Sequence, residues 1–223
     1  MNVLNSRRVI ATLSLFAAFS TAPAFGMSVS YYLDQTNIDA GAFLDGTNYL
    51  QVDITSTVAG TASFTVTPVY AFTQISNYGI QAFGFNFSGA NLNSITAGDF
   101  TLPSSWSADL PPPSGMDGFG KYDFIVQNTG SNRQNPLTFT VTGLGGATSA
   151  DTLGYFAKLS SGGGTPEYFA VHLADFQTGL TDTNGAITSG YFAGMAPVPE
   201  PETYAMLLAG LGLLGFAARR KLS

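Results

Sequence analysis

The chain has 223 residues, with 8 Lys or Arg against 14 Asp or Glu, one His and no Cys. The absence of cysteine excludes disulfides and thiolate chemistry, and a single histidine excludes His-based zinc sites and His-pair catalysis. Five of the basic residues stand at the two ends, so the stretch from Met27 to Ala196 holds twelve acids and three bases, a net of −9, which excludes nucleic acid and anionic membrane surfaces as partners.

Met1 to Gly26 reads as a secretory signal peptide with a signal helix. Arg7 and Arg8 supply its positive start and Val9 to Phe19 its apolar stretch. Ala22-Pro23-Ala24 and Ala24-Phe25-Gly26 both offer small residues for cleavage, after Ala24 or after Gly26. From Met27 the composition turns to Thr, Ser, Gly, Asn, Val, Phe and Tyr, which suits strands and turns rather than helices. Period-two alternation marks strands with one buried face. Leu50, Val52 and Ile54 alternate with Gln51, Asp53 and Thr55, and Phe83, Phe85 and Phe87 with Gly84 and Asn86. Tyr122, Phe124 and Val126 alternate with Asp123, Ile125 and Gln127, and Leu137, Phe139 and Val141 follow the same rule.

Further strands are expected at Ser28–Leu33, Ser63–Phe72, Leu153–Leu159, Glu167–Leu173 and Ile187–Phe192. Pro68 belongs at an edge or bulge because it has no N–H to give a ladder. Asn91 to Trp106 reads as irregular. Asp109 to Gly120, with Pro111-Pro112-Pro113, reads as an extended, exposed connector. These short strands, separated by turn residues, predict an all-β fold: one antiparallel β-sandwich or jelly-roll-like domain over residues 27–196, with no long amphipathic helix between the termini.

The last 27 residues, 197–223, change character again. Pro197-Val198-Pro199-Glu200-Pro201-Glu202 precedes an uncharged run, Tyr204 to Ala218, and the cluster Arg219-Arg220-Lys221. The run makes a transmembrane helix of roughly 22 Å against a hydrocarbon core of about 30 Å. It spans if Arg219, Arg220 and Lys221 snorkel from the far side, where they act as a membrane stop. Basic clusters at both ends place both on the cytoplasmic side, with the body outside.

This three-part tail resembles the PEP-CTERM sorting signal of bacterial surface proteins, with Pro199, Glu200 and Pro201 as the signature tripeptide. The resemblance implies export by the secretion machinery across the inner membrane of a bacterium with an outer membrane. It implies transient anchoring through the C-terminal helix, then removal of the tail by an exosortase, a membrane-embedded cysteine transpeptidase-like enzyme. Cell surface or exopolysaccharide matrix is the implied destination. The body also resembles the sandwich ectodomains that precede such tails, in Gly118-Phe119-Gly120-Lys121-Tyr122-Asp123-Phe124, Asn135-Pro136-Leu137-Thr138-Phe139 and Phe169-Ala170-Val171-His172-Leu173.

No catalytic constellation stands out. His172 lies opposite Phe169, Val171 and Leu173 on its strand, which aims it at the outer face or a polar rim. Asp175 stands three residues on, without a Gly-x-Ser-x-Gly elbow to complete a triad. The carboxylates Asp99, Asp109, Asp117, Asp123, Asp151 and Glu167 are scattered, and spacing alone pairs none of them for glycoside hydrolysis. No cofactor or metal site is expected. Calcium is the ion that the oxygen-rich turns Asp34–Asp39 and Asp182–Gly185 would suit, but neither completes an EF-hand loop. Gly162-Gly163-Gly164 lacks the Lys-Ser/Thr of a phosphate loop. The expectation is an exported, non-catalytic surface or matrix protein. The alternatives are a carbohydrate-binding module acting on exopolysaccharide and a secreted carboxylate-dependent glycoside hydrolase.

Overall fold

The computed structural model describes residues 26–38, 43–182 and 185–198, and beyond them 208, 210 and 211. In chain order the strands are β1 (Met27–Leu33), β2 (Gln35–Thr36), β3 (Leu50–Ser56), β4 (Ala62–Pro68), β5 (Thr73–Phe85), β6 (Phe100–Thr101), β7 (Ser107–Asp109) and β8 (Ser114–Met116). They continue as β9 (Gly120–Tyr122), β10 (Phe124–Gln127), β11 (Leu137–Val141), β12 (Phe169–Gln177), β13 (Thr181–Asp182), β14 (Gly185–Ala186), β15 (Ser189–Gly194) and β16 (Ala196–Val198). One short helix, α1 (Ser149–Gly154), lies between β11 and β12.

Two six-stranded sheets account for most of these strands. The first has the order β16-β1-β3-β4-β11-β6 and the second β2-β15-β12-β5-β10-β7, with β8-β9 and β13-β14 as separate two-stranded pairs. Every pairing is antiparallel.

Alternation determines which side of each strand faces the partner sheet. Leu50, Val52 and Ile54 on β3, Ala62 and Val66 on β4, and Leu137 and Val141 on β11 are all fully buried. The cross-strand partners Phe64 and Phe139 lay their rings face to face, 4.7 Å apart at 2°. Phe83, Phe85, Phe124, Phe169, Val171 and Phe192 of the second sheet meet this surface. Phe64 lies 5.1 Å from Phe85, Tyr31 5.1 Å from Phe169, and Tyr49 4.9 Å from Phe192. Burying so many rings is the main driving force for closing the two layers, and it needs no disulfide. Trp106 joins this core, its indole N–H donating to the Asn132 carbonyl at 2.8 Å.

Several expectations change. Residues 153–159 are not a strand: α1 starts at 149 with a reciprocal capping box between Thr148 and Asp151, and no strand follows before β12. The segment from Ser63 stops pairing at Pro68, which lies opposite Leu50 and beyond the last β11 partner, Val66. There the missing N–H leaves no bond unmade. Tyr122 does not share a face with Phe124 and Val126, because the chain bends at Asp123 and sends Tyr122 to the other side of the sheet. The 109–120 stretch is not an exposed connector. It forms the β8-β9 hairpin, whose Met116 and Phe119 are buried.

The expected signal helix lies outside the described residues. Of the C-terminal segment Leu208, Gly210 and Leu211 are helical and exposed, and among the described residues no helix is long and apolar enough to cross a membrane. The first sheet runs through Val198, across the division expected between residues 196 and 197.

Candidate functional site: a covered sheet face and its cleft

The outer face of the second sheet is lined by small residues. Ala82, Gly84, Ala170 and Ala193 leave a shallow floor on which β8 and β9 settle, and Met116, Phe119, Tyr122 and Ile125 fill it as a second, smaller core. A Cβ on Gly84 would come within 3.0 Å of the Tyr122 ring and 3.1 Å of Met116, so glycine there permits the close seating.

A second cover, residues 160–165, lies against the hairpin backbone to backbone. Lys121 N–H donates to the Ser161 carbonyl at 2.6 Å, Ser161 N–H returns a bond at 3.1 Å, and Thr165 N–H reaches Gly118 at 3.0 Å. Gly120 has a φ of +84°, and a Cβ on it would stand 2.7 Å from the carbonyl oxygens of Ser161 and Gly163. A Cβ on Gly164 would collide with the Gly118 carbonyl. Of the glycine triplet, Gly164 is the one this close approach requires.

Polar groups lie buried beneath the cover. Ser160 Oγ donates to the Phe119 carbonyl at 2.6 Å and accepts from Glu167 N–H at 3.1 Å. Asp123 accepts from Phe87 N–H at 3.0 Å and from Lys158 Nζ at 2.6 Å, while its own N–H donates to Asn86 Oδ1 at 2.9 Å. Asn86 Nδ2, Tyr122 OH and Glu167 Oε2 are buried and have no hydrogen-bond partner among the described residues, which suits bridging water. Glu167, 4% exposed, has its carboxyl pushed up to about 7 by burial first and then by the charges of Asp34 and Asp45. Burial also raises the Tyr122 phenol; the Ser160 hydroxyl nearby opposes the shift and Glu167 reinforces it.

Beside the cover opens a cleft of about 540 Å³, lined by Met116, Asp117, Lys121, Tyr191 and the glycine backbone. Tyr191 stacks on His172, ring centroids 4.5 Å apart at 8°. His172 therefore stands half-buried on the outer face, and its pKa is lowered by burial and then by Arg133. Burial raises the Tyr191 phenol, and Asp117 adds to the shift.

Asp175 does not serve His172. It sits at an irregularity of β12 with a φ of 59° and pairs with Arg133 at 2.7 Å. The guanidinium also donates to Gln81 and to the Asn77 carbonyl, each at 3.1 Å.

Four more carboxylates are occupied structurally. Asp99 caps the turn at Thr96, Asp151 caps α1, Asp109 accepts from Gln127, and Asp117 accepts from Asn37. Among the described residues no group of three or more His, Cys, Asp or Glu is placed to hold a metal ion. Asp39, Thr183 and Asn184 of the calcium-suited turns lie outside the described residues, as do Pro199, Glu200, Pro201, Arg219, Arg220 and Lys221. Spacing placed Glu167, the one glutamate between Met27 and Ala196, only among the scattered carboxylates; its burial and raised pKa emerge from the fold.

A family model for the PEP-CTERM protein-sorting motif matches residues 197–221. No curated protein and no solved structure matches the chain significantly.

Proposed function

We propose that this chain, which carries a PEP-CTERM protein-sorting motif, is a non-catalytic component of the cell surface or extracellular matrix. The motif implies export and processing by an exosortase, and it carries the reading. The non-catalytic part is supported by the carboxylates. Asp99, Asp109, Asp117, Asp123, Asp151 and Asp175 each have a protein partner, and Glu167 is sealed under the hairpin cover rather than open to a substrate. A general acid has to reach the proton acceptor it serves.

The tail acts as an address. Proline restricts itself and the residue before it, so Val198 to Pro201 favour extended conformations that a peptidase can take up. The apolar run beyond Tyr204 holds that peptide at the bilayer surface, and Arg219, Arg220 and Lys221 stop the chain from passing through. Replacing Pro199-Glu200-Pro201 with three alanines should leave full-length protein in the inner membrane of a host with an exosortase. Intact mass of the natural protein should show loss of the apolar run. If the natural protein keeps Tyr204 to Ser223, the tail is a plain anchor and the sorting reading fails.

Saccharide binding is the second reading, and the Tyr191 cleft favours it. A half-exposed ring beside Asp117 and Lys121 offers an apolar surface next to hydroxyl-binding groups. A glycan array with the natural protein and a Tyr191→Ala variant tests it: binding lost with Tyr191 supports the reading, and no binding by the natural protein discards it.

A further inference from the structure

The first sheet ends on β16, whose pairing is short. Ser30 faces Val198, Tyr31 faces Pro197 and Tyr32 faces Ala196, against seven residue pairs between β1 and β3. Pro197 has no N–H, so it gives the ladder no donor. The residue after Val198 is Pro199, so no spacer separates the sheet from the sorting tripeptide.

A peptidase takes its substrate as an extended chain and satisfies backbone groups on both sides of the bond it cuts, in the manner of an added strand. Backbone already paired in a sheet has spent its inward-facing groups, and the neighbouring strand blocks approach from that side. A sorting enzyme meeting the natural fold would find the residues upstream of the tripeptide occupied by β1.

We propose that β16 is a latch on the processing site: it must leave β1 before the sorting enzyme can take up the junction. The inference rests on the sorting reading above and adds a folded-state control to it. In the processing step a peptide bond of the junction breaks. Its acyl carbon passes to water or to an acceptor nucleophile, and its amine leaves with the tail. The latch is weak enough to open without unfolding the sandwich, because its pairing with β1 is three residue pairs at an edge, one of them with proline.

The chain has no cysteine, which makes a covalent test clean. Tyr32 and Ala196 are directly opposed, at a spacing antiparallel partners share with disulfides. The full chain carrying Tyr32→Cys and Ala196→Cys is produced in a host with an exosortase, and tail loss is followed by intact mass. The oxidised double variant should lose its tail at least about tenfold more slowly than the natural chain, while each single variant and the reduced double variant keep the natural rate. A flexible Gly-Ser spacer of six residues between Val198 and Pro199 should restore processing in the oxidised background, which shows that the fold and the enzyme are both intact. Processing of the oxidised variant at the natural rate overturns the latch. So does failure of the disulfide to form, or failure of the spacer to rescue. A natural chain that is never processed overturns the sorting reading instead, and the latch with it.

Discussion

Glu167→Gln is the sharpest probe of the covered face. An ordinary glutamate in the unfolded chain titrates near 4.5, and in the fold Glu167 is pushed up to about 7 by burial, Asp34 and Asp45. The folded state therefore binds the proton more tightly than the unfolded state does. Stability from this residue is fully present below pH 4.5, falls as pH rises, and is lost once pH passes about 7. The gap corresponds to about 3 kcal/mol, at about 1.4 kcal/mol for each pH unit.

Glutamine keeps the size and removes the charge. Denaturant unfolding of residues 27–198 at closely spaced pH values should give similar stabilities for the two proteins near pH 4. Near pH 8 the variant should be the more stable by up to about 3 kcal/mol. Using the difference between the two proteins cancels the titration of His172, whose lowered pKa acts with the opposite sign on the acid side. If the two stability curves stay parallel from pH 4 to pH 8, Glu167 is not buried as described and the account of the cover is wrong.

The remaining predictions concern the cover, the outer face and the sheet edge. Gly164→Ala introduces a Cβ at a φ of +79° and against the Gly118 carbonyl, so it should cost at least about 2 kcal/mol and lessen the pH dependence due to Glu167; unfolding curves read both. His172→Ala removes the stack on Tyr191, at about 1 kcal/mol, and should reduce the stability lost on acidification below pH 6.5, as thermal melts across pH 4–7 would show. A fragment of residues 27–198 should be a soluble β-rich monomer, whereas one ending at Met195 bares the β1 edge and should self-associate on size-exclusion chromatography.

The first sheet was legible because alternation there has a single meaning. Leu50, Val52 and Ile54 turn to the core and Gln51, Asp53 and Thr55 turn away, so period two reads straight into burial. The second sheet defeats the same rule because both of its faces are covered. Its outer face uses Ala82, Gly84, Ala170 and Ala193, residues whose small size looks like the absence of a core in a one-face pattern. The covering segment was equally disguised. Prolines and glycines between Asp109 and Gly120 signal a connector, and only Met116 and Phe119 hint that the connector packs.

Helix α1 was lost within the strand expected at Leu153–Leu159, although Thr148-x-x-Asp151 announces a helix start. The cleft was not legible at all. Tyr191 comes from β15, while Asp117 and Lys121 belong to the β8-β9 hairpin, and local spacing carries no information about such a meeting.

Antiparallel pairing of β1 with β16 also ties the two ends of the domain together. The chain enters the first sheet at Met27 and leaves it at Val198 in the opposite direction, so both connections emerge from the same end of the sandwich. A domain held at a membrane through either connection would therefore present that end to the lipid, and anchoring through both requires no reorientation between export and sorting. The same pairing gives the latch its cost. With β16 displaced, β1 becomes an open edge seven residues long, a template for strand addition by another chain. Tethering during the open interval limits that hazard, since a chain held at the bilayer meets its neighbours only in restricted orientations. After tail loss beyond Val198, the strand can return and close the edge again. Retention of β16 in the mature protein follows from this account, and a mature C-terminus mapped upstream of Ala196 by intact mass would contradict it.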